Sequence, residues 1–302
     1  MWGKTHSGCF PMKEKDTLIK KVKHLLKKVQ APKYLHRFGP KTYKLWQHVF
    51  ALFVKAHCQL SYRRTTKFLR LLGFTVATKS TLQRYSAKLK LPFWQKMLQK
   101  TFSSVTDIVA IDGTGLEKTR VSEHYIKRID GKSSFGKGFH FSILTGTNGK
   151  IFCLRLRKRY GHDVKDIKCL FRNLLNKPKI ALMDKGYDAE WIHKMVQQRG
   201  IRSIAPVRKN AKRGFYRLNL KRKFPQKIYN KRNIVESIFH AFKQKYGSSV
   251  SSKKISSART EVYCKAILHN IILKINQLLG HTRKRGLLCY PETGAHLETR
   301  AL

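Results

Sequence analysis

The pattern of apolar and polar positions changes character near residue 105. Before it, apolar residues recur with helical spacing. Ser61 is placed to cap a helix over 62–72 that Gly73 stops, and Thr78 or Ser80 to cap a second over 81–89, ending before Pro92. After it, short apolar runs take over. Val109-Ala110-Ile111 ends at Asp112, residues 139–145 alternate as a strand does, and 151–156 form another, with a hairpin turn at Asn148-Gly149. A helix follows over 162–175, begun near Asp163. Next come a buried strand over 180–183 ending at Asp184, a helix over 189–198 stopped by Gly200, and a strand over 201–207. Residues 208–227 read as a basic loop, 230–246 as a helix ended by Gly247, and 258–279 as a last helix. This order predicts a mixed α/β sheet flanked by helices, preceded by a small all-α domain. The expected boundaries are a flexible N-terminus at 1–16, a helical domain at 17–104, an α/β domain at 105–280 and a tail at 281–302.

Charge narrows the choice of partner. The 302 residues carry 65 Lys and Arg against 16 Asp and Glu, a net +49. Such an excess repels itself in the folded state unless a polyanion neutralises it, and nucleic acid is the usual one. A ribosomal or chromatin protein would share this balance. Helix, glycine turn and helix over 59–91 suit helix-turn-helix reading of double-stranded DNA, with Arg63, Arg64 and Arg84 as candidate contacts. The plainer alternative is a helical hairpin packed on the next domain. None of the six cysteines forms a C-x-x-C pair, so buried free thiols in a reducing cytosol are expected. No apolar run approaches the roughly 18 residues of a membrane span, and no signal-peptide core opens the chain. A cytoplasmic, nucleoid-associated protein is the expectation.

Between residues 191 and 260 the only acid is Glu236, among 19 Lys and Arg. Tyr229, Arg232, Glu236 and Lys243 fall within an arc of roughly 60° on an ideal helix, while Val235, Ile238, Phe239, Phe242 and Tyr246 form a separate apolar face. Asp112 and Asp184 each end an apolar strand beside a glycine, and adjacent parallel strands would bring those ends together. Three converging carboxylates need intervening cations, and their hard oxygens suit Mg²⁺ or Mn²⁺, two ions per site, for attack on a phosphodiester. Arg232, Lys243 and Tyr229 would then hold DNA phosphates. The competing reading of Arg232 is an i,i+4 ion pair with Glu236 on a solvated helix face.

The segment from Tyr229 to Lys243 fits every spacing of the Y-x2-R-x3-E-x6-K signature and resembles that of bacterial and archaeal insertion-sequence transposases. Ile111-Asp112-Gly113-Thr114 and Leu182-Met183-Asp184-Lys185-Gly186-Tyr187 resemble the two aspartate blocks of that family, in the same order, with 71 and 51 residues between the acids. The resemblance covers about residues 105–280. It implies an RNase H-like catalytic domain with Asp112, Asp184 and Glu236 as metal ligands, and transposition by nicking of the element's inverted-repeat ends followed by attack of a 3′-OH on target DNA. It also implies a homodimer on DNA. The rivals are a metal-dependent nuclease or resolvase of similar fold, and a recruited DNA-binding protein without catalysis.

Other residues carry weaker expectations. Asp163 reads as a helix cap more than a ligand, and Asp188 and Glu190 as first-turn acids of the next helix. Trp191 reads as a helix-packing residue. Arg208, Lys209, Lys212 and Arg213, with Arg217 and the basic residues at 221–223, read as a DNA-tracking loop.

Overall fold

Among the described residues, capping and apolar spacing in the first hundred positions yield five helices: α1 (Met12–Lys28), α2 (Leu45–His57), α3 (Tyr62–Leu71), α4 (Lys79–Lys88) and α5 (Leu91–Gln99). The computed structural model describes residues 12–36, 38, 41–118, 138–158, 162–174, 177–252 and 254–278. Residues 1–11 and the tail expected at 281–302 lie outside the described residues. Because α1 starts at Met12, the boundary expected at residue 16 falls inside a helix. Ser61 Oγ accepts from Arg64 N–H at the head of α3, and Gly73 takes a positive φ of 77° just beyond its end. At α4 the cap is Thr78, whose Oγ1 accepts from Thr81 N–H, and not Ser80. Arg63, Arg64 and Arg84 all lie exposed on this pair.

Among the described residues six strands follow, β1 (Ile108–Lys118), β2 (Phe139–Gly146), β3 (Ile151–Arg157), β4 (Ile180–Met183), β5 (Arg202–Ile204) and β6 (Ser249–Val250), in the order β3-β2-β1-β4-β5 with β6 paired to the far end of β1. β1 runs antiparallel to β2 and parallel to β4. Two expectations are corrected. Strand β1 does not end at Asp112 but continues to Lys118, because its pairing with β2 runs on through Leu116↔Phe139 after the β4 ladder stops at Ile111↔Met183. Strand β2 is buried at all eight positions rather than on alternate ones, since elements cover both faces of the sheet.

Parity along β1 sorts the layers. Val109 and Ile111 face a cluster with Ile167 and Leu170 of α6 (Val164–Arg172) and Ile192 and Val196 of α7 (Glu190–Gln197). Ala110 faces a second cluster with Val235, Ile238 and Phe242 of α10 (Asn233–Tyr246) and Val262 of α11 (Ile255–Leu278). The second cluster also contains Val22, Phe53 and Trp94, so the N-terminal helices and the sheet share one apolar core. Helix α11 joins them. Its Thr260 donates to Ser86 O of α4 at 2.8 Å, its Glu261 pairs with Lys55 of α2, and its Asn270 bonds both N–H and C=O of Ile151 in β3.

The segment expected as a basic loop at 208–227 contains two helices, α8 (Phe215–Arg222) and the single-turn α9 (Gln226–Tyr229). The reason is tertiary. Glu190 accepts from the N–H groups of Tyr216 and Arg217 at the start of α8, and Asp188 grips the Arg217 guanidinium at 2.7 and 2.8 Å. Glu190 thus sits in the first turn of its own helix and also caps another, whereas Asp188 precedes α7 and anchors α8. The helix expected over 230–246 opens with a 3-10 turn (Asn230–Arg232) before α10, so the ideal-helix arc does not run unbroken from Tyr229 to Lys243. Strand β5 is shorter than the apolar run at 201–207.

Candidate active site

Asp112 and Asp184 are the residues directly after the last register pair of the parallel β1–β4 ladder, Ile111↔Met183. By strand alternation both point to the face that carries Ala110 and Leu182, the face covered by α10. Helix α10 lays Val235, Ile238, Phe239 and Phe242 on the sheet, with Phe141 of β2 meeting the rings of Phe239 and Phe242 at centroid distances of 5.9 and 5.3 Å. Its first turn thereby presents Glu236 toward the two aspartates.

Arg232 joins the three. Its Nη1 lies 3.3 Å from Asp112 Oδ2, and its Nη2 lies 2.6 Å from Glu236 Oε1 and 3.9 Å from Asp184 Oδ1. The guanidinium that the sequence assigned to DNA phosphates is therefore ion-paired with the carboxylates, including the i,i+4 pair with Glu236. The 3-10 turn just before α10 sets Arg232 close to all three acids. Burial works against charging this guanidinium, but Tyr229, Asp112, Asp184 and Glu236 together hold it firmly protonated. Burial also pushes the Asp112 carboxyl above the usual carboxylate range. The Gly113 N–H donated at 2.8 Å and Arg232 oppose that shift, while Asp184 and Asp163 add to it.

Around this group, Lys243 Nζ donates to Thr114 Oγ1 at 2.7 Å, which fixes its ammonium two residues along β1 from Asp112. Tyr229 is half-buried, its ring 5.2 Å from Phe224 and 6.0 Å from the Arg232 guanidinium carbon. Arg208, Lys209, Lys212 and Arg213 are exposed. Arg208 and Lys209 line an open groove with Lys185 and Gly186, directly after Asp184. Arg217, from the same basic run, is ion-paired with Asp188 at 2.7 Å. Arg63, Arg64 and Arg84 belong to the separate α3–α4 pair.

Asp163 precedes α6 but makes no side-chain cap. Its Oδ1 instead meets His140 Nε2 at 2.8 Å and packs against Gly113 on the opposite face of β1, where an added Cβ would come within 2.7 Å of it. His140 also faces Asp166 at 3.2 Å, and Asp166, fully buried, accepts from Ser142 and Arg157. Burial opposes a charge on His140, but Asp163 and Asp166 more than offset it and push its pKa up to about 9. The sequence reading missed His140, Ser142 and Asp166. Polar residues at i and i+2 inside an apolar strand, His140 and Ser142 facing Arg157 and Arg155 in register, are the signal that finds them. Trp191 is 43% exposed, and Lys168 of the neighbouring helix α6 lies over its ring. Cys153, Cys169 and Cys264 are free thiols.

The donor set suits a hard divalent cation. Three carboxylates stand against one guanidinium, leaving a formal charge of −2 at the site, and every donor is an oxygen. Yet among the described residues no three such groups are already gathered at ligating distance. The Arg232 guanidinium is the group that all three reach.

The profile of the transposase DDE domain family matches residues 103–271 of the chain. Among solved structures, the cryo-EM structure of a piggyBac transposase synaptic complex with hairpin DNA aligns at 12% identity with a TM-score of 0.47, over 90% of this chain and 75% of that one. No curated protein matches.

Proposed function

The chain belongs to the transposase DDE domain family, and on that premise we propose that it is the transposase of an insertion sequence, binding inverted-repeat ends and catalysing metal-dependent DNA cleavage and strand transfer. One observation carries the reading. Three carboxylates from a strand, the next strand in the parallel ladder and the helix above them are within reach of a single guanidinium. Asp112, Asp184 and Glu236 would hold Mg²⁺ or Mn²⁺. Two such ions would lower the pKa of the attacking water or 3′-OH and stabilise the leaving oxygen.

The chain's own residues supply the positioning. Lys243, braced by Thr114, is a point charge for a phosphate beside the scissile bond, and Arg232 offers a fork once it leaves the carboxylates. Tyr229, its ring 6.0 Å from the Arg232 guanidinium, would contact DNA beside that fork. Lys185, Arg208, Lys209, Lys212 and Arg213 track the strand leading away from Asp184. The α3–α4 pair presents Arg63, Arg64 and Arg84 to a duplex as a helix-turn-helix does. Two ends must meet for both to be joined, so the working form is a dimer on DNA.

The test is strand transfer from duplexes ending in the element's inverted repeats, with Mg²⁺. Asp112→Asn, Asp184→Asn and Glu236→Gln should each lower it on the order of 10³-fold or more. Full activity in all three variants overturns the assignment, and cleavage without joining in the wild type points to a nuclease instead.

A further inference from the structure

We propose that Arg232 is the resident counter-ion of the three-carboxylate site, and that it exchanges with the divalent cation so that metal entry releases its guanidinium to a DNA phosphate. The proposal rests on the metal-site reading above and adds what that reading lacks, a physical link between metal binding and DNA binding.

The geometry carries it. Among the described residues, the ion pairs of Asp112, Asp184 and Glu236 all run to Arg232. A divalent ion drawn to the same oxygens would meet the guanidinium at close range, and like charges cannot share that space without water between them. The −3 of the carboxylates is met by +1 now and by +2 or more with metal, so the exchange improves neutralisation and does not only swap one cation for another. The side chain is also placed to leave. Arg232 ends a 3-10 turn between two helices and is not in the interior of one, and its side chain is 15% exposed. Tyr229 stands on one side with its ring 6.0 Å away, a neutral surface that a displaced guanidinium can stack on. Once displaced, a planar fork with five donors is suited to a phosphate. Lys243 differs. Its partner is the Thr114 hydroxyl, so it is free to face DNA whether or not metal is bound.

Two binding consequences follow. Without DNA, Arg232 competes with metal, so its removal should tighten metal binding. With metal present, the released guanidinium should add a DNA contact, so metal should favour DNA binding in the wild type and not in a variant lacking the charge. Linkage makes these two effects sides of one coupling.

The experiment titrates Mn²⁺ into the DNA-free full-length protein by calorimetry for the wild type, Arg232→Gln and Arg232→Lys, with circular dichroism to check that each is folded. Arg232→Gln should bind Mn²⁺ about tenfold or more tightly than the wild type, and Arg232→Lys, which keeps a charge but not the fork, should fall between them. Fluorescence anisotropy on an element-end duplex, with and without Ca²⁺ at fixed ionic strength, then reads the second consequence. Ca²⁺ should raise DNA affinity several-fold more in the wild type than in Arg232→Gln. Equal or weaker Mn²⁺ binding by Arg232→Gln overturns the exchange and leaves the metal site standing. An equal Ca²⁺ effect on DNA binding in the two proteins overturns the release. Absence of Mn²⁺ binding in all three proteins overturns the exchange and the metal-site reading together.

Discussion

At the scale of single residues, His140 ties the candidate site to the helix behind it. Its imidazole bridges Asp163, which presses on Gly113 beside Asp112, and Asp166, which is buried under Ser142 and Arg157. Its pKa stands at about 9 against an ordinary 6.5. A folded-state pKa raised above the unfolded value means that the stability due to the charged imidazole is fully present below about pH 6.5 and is lost as pH rises through about 9. That stability amounts to no more than about 3 kcal/mol. Urea unfolding across pH 6–10 should therefore show the wild type losing stability through this window relative to His140→Gln, which lacks the slope. Parallel curves for the two proteins would remove His140 from this role. A polar position inside an apolar strand marks His140 in the sequence but not its charge, which is created by two aspartates brought from another element.

At the scale of elements, helix α11 and its contacts decide how the N-terminal helices sit. Glu261 in α11 accepts from Lys55 of α2 at 3.2 Å, from Ser252 Oγ at 2.8 Å and from Ser251 N–H at 3.0 Å, and it faces Lys265 one turn along at 3.8 Å. The Lys55 and Glu261 side chains are 5% and 7% exposed. Glu261→Gln would strand two buried ammonium groups without a counter-ion, so it should cost about 3–5 kcal/mol in urea unfolding. A loss under about 1 kcal/mol would mean that the network is solvated. The same scale explains α8. Its basic, weakly patterned sequence reads as a loop, and the helix depends on carboxylates contributed by Asp188 and Glu190 from the preceding segment.

At the scale of the whole molecule, net charge and shared core act together. The chain carries a net +49, a charge that repels itself in the folded state, and among the described residues no helix is long and apolar enough to cross a membrane. Because the N-terminal helices share one apolar core with the sheet, the α3–α4 pair is held in a set relation to the acids and does not swing on a linker. Replacing Arg63, Arg64 and Arg84 together by Ala should lower the slope of log affinity against log salt for an element-end duplex by up to about three, with each contact worth roughly 0.9. An unchanged slope would mean that this pair does not lie on DNA.

The sequence by itself determined the elements whose signals are local. Ser61, Thr78, Gly73, Gly149 and Gly247 mark caps and turns through side-chain donors and backbone freedom that act within a few residues. The apolar runs before Asp112 and Asp184 marked the parallel strands, and the spaced Tyr, Arg, Glu and Lys marked the family. Only the tertiary structure decided what those charges do to one another. The continuation of β1 past Asp112 depends on β2, the helical state of α8 on Asp188 and Glu190, and the charge of His140 on Asp163 and Asp166. The ion-paired state of Arg232 depends on two aspartates 120 and 48 residues away in the chain. Periodicity reports which face of an element is apolar. Charge interactions at 3–4 Å depend on which faces meet, and that is settled only when the elements pack.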